Sequence, residues 1–351
     1  MIMNYEYYGK SLSINEKEIE LVLGKYTYKG LSAYWVDDKD IKRTIYDYEI
    51  THVKDEMKTD VYGEHLSVCI GLKDFYTCVE WQINLYSDFV GFRLLIEGTD
   101  VTVKCLCPIY CLLAPWEEDS RVLKVPFDND NWVRFASNNI KEAGLSYGVS
   151  AVYNEETRNG VIIGATEHDT WKVGVELNEH VHVYTGVTDV RETLPHGMVH
   201  RSLIKSPLVV MIPSDDWRDG MERFGKLCGE YRPPIKSNVN TIMGWNSWFA
   251  YQKEINLKKY QAASNFIKSL ENFNEGGVSY VNFDAFWTAL SKDELRIAAK
   301  TVIDNGQIPG IYLAPFATWG KLKDFVEIAK SDYGEIPKVS GFENTRWVDI
   351  L

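Results

Sequence analysis

The sequence lacks the features of several large protein classes. It contains no block of basic residues, and no apolar run reaches the about 18 residues that a membrane-spanning helix needs. Its 38 Lys and Arg are outnumbered by 50 Asp and Glu, which gives a net charge of −12. This balance repels phosphate backbones and anionic lipids. We therefore expect neither a nucleic acid nor a membrane as a partner.

Several catalytic and targeting signals are also absent. The chain has no phosphate-binding loop, no G-x-S-x-G elbow and no dinucleotide fingerprint, which disfavours kinases, esterases and dehydrogenases. Its N-terminus has no basic segment followed by an apolar one, and the six cysteines lie mostly in strand-like runs. We expect a cytoplasmic protein with reduced thiols.

Metal-ligand patterns are weak. The candidate groups are Cys105, Cys107 and Cys111, and His180, His182, His196 and His200. No second Cys/His pair at zinc-ligand spacing lies near the cysteines, and histidines on strands usually serve as hydrogen-bonding residues. The sequence thus predicts buried structural thiols and no metal ion or other cofactor.

Aromatic residues, in contrast, are plentiful. The 11 Trp and 21 Tyr exceed what a core of this size needs. Flat rings with polar tips suit the alternating CH and OH faces of sugars, so a small-molecule or oligosaccharide substrate fits this composition.

The hydrophobic pattern divides the chain into a β-rich part and a part that alternates strand and helix. Short alternating or β-branched runs fill residues 1–212, which predicts an antiparallel β-sandwich. Residues 213–240 contain an amphipathic helix that Pro233 and Pro234 end, and we interpret this segment as a helical connector.

Residues 241–351 show the rhythm of parallel βα units. Strands are predicted to start near 241, 279 and 310, with helices between them, and the second helix begins at a capping box from Ser291 to Glu294. A complete (β/α)₈ barrel takes about 250 residues. We therefore expect an incomplete TIM barrel of about three βα units, and a chain that is a fragment whose open strand edge favours a homo-oligomer.

Functional side chains of parallel α/β folds stand at the carboxyl ends of the strands. Here these ends are Met243-Gly-Trp-Asn-Ser-Trp248, Asn282-Phe-Asp-Ala-Phe-Trp287 and the segment that starts at Tyr312. The candidate substrate-binding residues are Trp248, Asp284, Trp287 and Tyr312. The alternatives are that the indoles fill the core and that Asp284 caps the following turn.

These three segments, in this order, resemble the melibiase-like superfamily of α-galactosidases and raffinose synthases. The likeness rests on Gly244 to Trp248, Phe283 to Trp287 and Pro309 to Tyr312, and on Asp216 to Glu222 in the connector. It implies a β-supersandwich followed by a (β/α)₈ barrel, with Trp248 lining the sugar pocket. Asp284 matches the first of two hydroxyl-binding aspartates, whereas Ala285 stands at the position of the second.

The resemblance implies a retaining glycosidase that uses a pair of aspartates after barrel strands four and six. We therefore expect this chain to present part of a substrate pocket and no catalytic residue, and to be inactive alone. Two alternatives stay open, namely a non-catalytic carbohydrate-binding remnant and a transglycosidase of the raffinose synthase type.

Overall fold

The computed structural model describes residues 3–15, 18–73, 77–113, 116–117, 119–126, 134–142, 144–186, 198–236, 243–270, 273 and 278–312. The chain divides into two compact units, Met1–Pro234 and Ile235–Leu351. Within the described residues, no helix is long and apolar enough to cross a membrane. The segment that follows Tyr312 lies outside them.

The described part of the first unit is built almost entirely of strands. They are β1 (Met3–Tyr7), β2 (Lys10–Ile14), β3 (Ile19–Leu23), β4 (Tyr26–Tyr28), β5 (Ser32–Asp37), β6 (Lys42–Thr44), β7 (Ile50–Asp60), β8 (Gly63–Lys73), β9 (Thr77–Tyr86), β10 (Val90–Leu112), β11 (Arg121–Lys124), β12 (Ala136–Asn139), β13 (Leu145–Tyr147), β14 (Val149–Tyr153), β15 (Gly160–Ala165), β16 (Val173–Leu177), β17 (His180–Thr185), β18 (Val199–Lys205) and β19 (Val209–Ser214).

These strands form two antiparallel sheets that share one core. A four-stranded sheet runs β1-β2-β3-β4, and a larger sheet contains β5 to β19. Leu12 and Leu21 of the small sheet belong to the same buried cluster as Ile83 and Leu94 of the large one. The antiparallel sheets that the alternating pattern predicted are therefore present, and many of their strands alternate buried with less buried side chains.

Strand β10 organises the large sheet. It is 23 residues long and pairs with β5, β9, β17, β18 and β19, with register shifts along its pairings with β5 and β18. All these pairings are antiparallel.

The helix predicted in the connector is α1 (Trp217–Tyr231), and it packs on the first unit. Phe224 and Leu227 are buried with Ile162 and Ile212 of the sheet. Asp216 caps the helix by accepting a hydrogen bond from the backbone N–H of Arg218, whose guanidinium lowers the pKa of Asp216 to about 2. Asp216 thus has the capping role that acidic residues at a helix N-terminus commonly have.

The second unit contains three parallel strands and three α-helices within its described residues. In chain order they are β20 (Met243–Asn246), α2 (Ser247–Tyr251), α3 (Leu257–Ser269), β21 (Ser279–Phe283), α4 (Lys292–Asp304) and β22 (Ile308–Ile311). The strand order is β20-β21-β22, with parallel pairing throughout. Helix α4 begins at the predicted capping box, in which Ser291 and Glu294 bond to each other's backbone N–H.

Two apolar residues that share the helical spacing of the buried residues of α3 and α4 are exposed. Phe266 is 64% exposed and Ile303 59% exposed, whereas Tyr260 and Ile267 of α3 and Val302 of α4 are buried. The buried stripe of each helix is therefore narrower than its apolar stripe.

Candidate substrate site at the strand ends

Asn246 holds the first two strand ends together. It ends β20, and its side-chain oxygen accepts a hydrogen bond from the backbone N–H of Trp248 at 2.8 Å, which caps α2. Its amide nitrogen donates to Oδ2 of Asp284 at 2.5 Å. Asn246 therefore fixes the start of α2 and the orientation of the Asp284 carboxylate at once.

Asp284 follows β21 directly and is half-buried. Its Oδ1 accepts a hydrogen bond from the backbone N–H of Ala285 at 2.6 Å, and its own backbone N–H donates to the buried Ser247 hydroxyl at 3.0 Å. Each carboxylate oxygen thus has one protein donor and keeps capacity for another. The turn-capping alternative describes part of the role of Asp284 and leaves its remaining lone pairs available to a ligand.

The two tryptophans of the first strand end have different environments. Trp245 packs on the core of the second unit, with its ring at 6.0 Å from that of Tyr251 and 6.3 Å from that of Tyr260. Trp248 is 36% exposed and lies parallel to Phe286, with ring centroids 6.0 Å apart and an interplanar angle of 5°. The alternative that the indoles fill the core therefore holds for Trp245, whereas Trp248 has an accessible face.

Phe286 was not singled out from the sequence. It is 44% exposed and its φ is 70°, in the left-handed region that a bulky side chain enters at a cost of about 1–2 kcal/mol. In this conformation the Phe286 ring lies parallel to that of Trp248. No feature of the sequence signals a positive φ at this position.

Trp287 and Tyr312 join the second and third strand ends. The indole Nε1–H of Trp287 donates to the backbone oxygen of Tyr312 at 2.9 Å, and the Tyr312 N–H donates to the Phe283 oxygen at 2.7 Å. Because its only side-chain polar hydrogen is already bonded, Trp287 can offer a ligand its ring and no hydrogen bond. Tyr312 is partly exposed.

The small residue Gly244 permits the close approach of β20 and β21. A Cβ at Gly244 would lie 2.0 Å from the backbone oxygen of Tyr280. Next to it, the hydroxyl of Ser247 lies 3.4 Å from that of Tyr260, whose pKa is raised by burial. Each residue of the Gly-Trp-Asn-Ser-Trp segment thus has its own role. Gly244 permits close packing, Trp245 lies against the core and Asn246 caps α2. Ser247 supplies a buried hydroxyl, and Trp248 has an accessible indole.

The described residues contain no group of three or more His, Cys, Asp or Glu side chains that could hold a metal ion. His182 lies between the hydroxyl of Tyr34 and the carboxylate of Glu176, at 2.7 and 3.0 Å. His180 stacks on Tyr110. His200 bonds to Thr102, and His196 lies outside the described residues.

All six cysteines are free. Cys107 and Cys111 are buried, and Cys105 is partly buried. Burial raises the pKa of all three thiols, in the case of Cys105 to about 12. They are therefore protonated at neutral pH, as structural thiols are.

Comparison with known proteins gives matches among solved structures. No family model and no curated protein sequence matches the chain. A β-arabinopyranosidase matches with a TM-score of 0.59 and 12% identity over 91% of this chain and 59% of that one. The GH36 α-galactosidase AgaA of Geobacillus stearothermophilus gives a TM-score of 0.56 and 12% identity, over 91% and 57% of the two chains. The α-galactosidase of Lactobacillus brevis gives 0.55 and 8%, over 90% and 55%.

The fold of this chain resembles that of the N-terminal part of these glycosidases. It spans between 55% and 59% of the length of these three structures. GH36 α-galactosidases have been crystallised with 1-deoxygalactonojirimycin, raffinose and stachyose.

Proposed function

We propose that the protein is a glycoside hydrolase that acts on α-galactosides or related glycosides. The observation that carries the proposal is the site at the carboxyl ends of three adjacent parallel strands, where Trp248, Asp284, Trp287 and Tyr312 lie. An accessible indole and a carboxylate with free lone pairs suit the CH face and the hydroxyls of a sugar. The fold shared with glycosidases supports this choice.

The proposal includes the architecture of the second unit. Three parallel strands joined by helices fit the start of a (β/α)₈ barrel, with residues 1–212 as the β-sandwich and 213–240 as the connector. The division between the compact units, after Pro234, falls inside that connector.

In this proposal the described residues bind and orient the sugar. Retaining glycosidases need two carboxyl groups about 5–5.5 Å apart. Among the described strand ends of the second unit, Asp284 is the one carboxylate. By the resemblance, the catalytic pair follows strands four and six of the barrel, so Asp284 accepts hydrogen bonds from sugar hydroxyls and takes no part in proton transfer.

Ala285 points to a substrate that differs from plain galactose near this anchor. A methyl group cannot replace the second hydroxyl-binding carboxylate. A pentopyranoside or a substituted galactoside would not need that contact, and a β-arabinopyranosidase is among the structures with this fold. The free thiols of all six cysteines support a reducing, cytoplasmic location.

The test is to titrate the 351-residue chain with methyl α-galactopyranoside and with methyl β-arabinopyranoside, and to measure binding by calorimetry and by tryptophan fluorescence. Trp248→Ala should weaken binding by about 5- to 30-fold, because a stacked ring contributes about 1–2 kcal/mol. The matched control is Phe249→Ala, since Phe249 is adjacent and 90% exposed. Binding of neither glycoside, or equal effects of the two variants, would refute the proposal.

Product analysis separates the alternatives. Hydrolysis of a nitrophenyl glycoside by the protein with all barrel strands present supports the hydrolase. Sugar binding without turnover in that protein favours a carbohydrate-binding role. Transfer of galactose to sucrose favours a raffinose synthase type of enzyme.

A further inference from the structure

Strand β7 is a long, exposed edge of the large sheet. It runs over Ile50–Asp60, and within the described residues it pairs with β8 alone. Nearly all of its side chains are exposed, and Met57 in its second half is 51% exposed. Its outer side therefore presents a row of backbone groups available to another strand.

The turn after β7 determines which backbone groups point outward. The two-residue turn of Val61 and Tyr62 closes on the pair Asp60 and Gly63, and the register continues unchanged to His52. A two-residue turn requires mutual hydrogen bonds in that closing pair, so the even-numbered residues of β7 bond to β8. The odd-numbered residues then direct their N–H and C=O groups to the free edge.

The charged residues of β7 alternate in sign along one face. Lys54, Glu56, Lys58 and Asp60 occupy successive even positions, which share a face of the strand. If two copies pair antiparallel about Met57, Glu56 lies opposite Lys58 and Lys54 lies opposite Asp60. Two-fold symmetry repeats each contact, so four pairs of opposite charge form in the register that also aligns the outward backbone groups.

Three neighbouring registers that align those backbone groups are less favourable. Pairing about Glu56 places Lys54 opposite Lys58 and sets two Glu56 side chains against each other. Pairing about Lys58 places the two Lys58 side chains opposite each other. Pairing about Asp55 places the two Asp55 carboxylates opposite each other. Like charges directly opposite each other destabilise a sheet.

Charged residues on an edge strand commonly prevent pairing. Such protection works through side chains that repel their own copy, whereas the order of signs in β7 complements itself about Met57. In the single chain, Lys58 pairs with Glu56 on its own strand at 2.6 Å, with both side chains partly exposed. Asp60 accepts hydrogen bonds from the N–H of Tyr62 and the hydroxyl of Tyr86, which hold its carboxylate in place.

We propose that a second copy of this chain binds β7, in antiparallel pairing with a two-fold axis at Met57. The test uses sedimentation velocity of the full 351-residue chain over a range of concentrations. Glu56→Lys or Lys58→Glu alone creates two like-charge contacts in place of two attractive ones. Either variant should raise the dimer dissociation constant by about 30-fold.

Mixing the two variants is the decisive measurement. A Glu56→Lys chain and a Lys58→Glu chain complement each other in the proposed register, so the mixture should dimerise at concentrations at which each variant alone stays monomeric. The matched control is Lys39→Glu, the same charge change at an exposed turn, which should leave the dimer unaffected.

A second variant removes a backbone donor. Met57→Pro eliminates an outward N–H that β8 does not use, and it should abolish the dimer while circular dichroism shows an intact sheet. A native chain that stays monomeric at about 100 μM, a mixture that stays monomeric, or a dimer that survives Met57→Pro would each overturn the proposal.

Discussion

The hydrogen bond from Asn246 to Asp284 can be tested by exchanging its two ends. Asn246→Asp keeps the oxygen that accepts from the Trp248 N–H, and Asp caps helices as well as Asn does. It replaces the amide donor with a carboxylate oxygen, 2.5 Å from Oδ2 of Asp284. The variant thus isolates the contact between the strands from the helix cap.

The expected loss of stability combines two effects. The missing hydrogen bond costs about 1 kcal/mol. Two carboxylates about 4 Å apart repel each other by about 4 kcal/mol at an effective dielectric constant of 20, and solvent at this partly exposed site reduces that value. We expect a net loss of about 2–3 kcal/mol at neutral pH. The loss should be smaller in acid, because a proton taken up by either carboxyl group removes the repulsion and restores a donor.

The double exchange, Asn246→Asp with Asp284→Asn, should restore most of that stability. The amide introduced at position 284 would donate to the carboxylate introduced at position 246, and both oxygens that serve the backbone N–H groups of Trp248 and Ala285 would remain. The negative charge would then lie on the first strand end, so stability should recover while sugar affinity does not. This separates the structural role of the pair from the binding role of the Asp284 carboxylate.

The assay is hydrogen exchange of the peptides over 243–251 and 279–290, which reports the second unit separately from the first. Asp293→Asn is the control for the Asp284→Asn half of the double exchange, because it removes a carboxylate at an exposed position of α4. The reasoning is refuted if the single exchange leaves protection unchanged, or if the double exchange is no more protected than the single one.

Three further outcomes are expected. Gly244→Ala should destabilise the second unit by about 3 kcal/mol, seen as faster exchange of β20 amides, because the new Cβ meets a backbone oxygen at 2.0 Å. Asp216→Asn should keep the α1 cap but make the stability of the fold less sensitive to acid. The pKa of Asp216 is lowered to about 2 in the folded chain, so its carboxylate stabilises the fold above the unfolded pKa of 3.8 and loses this effect as the pH falls toward 2. An acid titration followed by circular dichroism measures the difference. In the protein with all barrel strands, Ala285→Asp should shift kcat/KM toward α-galactosides over arabinopyranosides by about tenfold or more, and an unchanged ratio would show that position 285 does not face the sugar.

The features that could be predicted from the sequence are those that depend on residues close together in the chain. The capping box at Ser291 and Glu294 involves residues three apart, and the strand before Asp284 is a largely apolar run, so both could be predicted from a short window. The rule that functional residues follow parallel strands then brought Trp248 and Asp284 to the same sheet edge. Whether they contact a sugar stays a prediction.

Contacts between distant segments could not be predicted in this way. The bond from Asn246 to Asp284 joins residues 38 positions apart, and the buried hydroxyl of Ser264 bonds to Gln307, 43 positions away. Trp245 and Trp248 could not be told apart either, because both are indoles at the end of one apolar strand. Their different burial depends on where helices α2 and α3 pack, which short-range patterns do not encode.

The arrangement of β10 has a consequence for synthesis on the ribosome. Its earliest partner, β5, begins at Ser32, and its last, β19, ends at Ser214. The strand ends at Leu112, so it cannot acquire all its neighbours until about 100 further residues have left the exit tunnel. Until then the edge of β10 that pairs with β17, β18 and β19 is vacant. Chaperones recognise such exposed apolar strands, so the first unit completes its fold late.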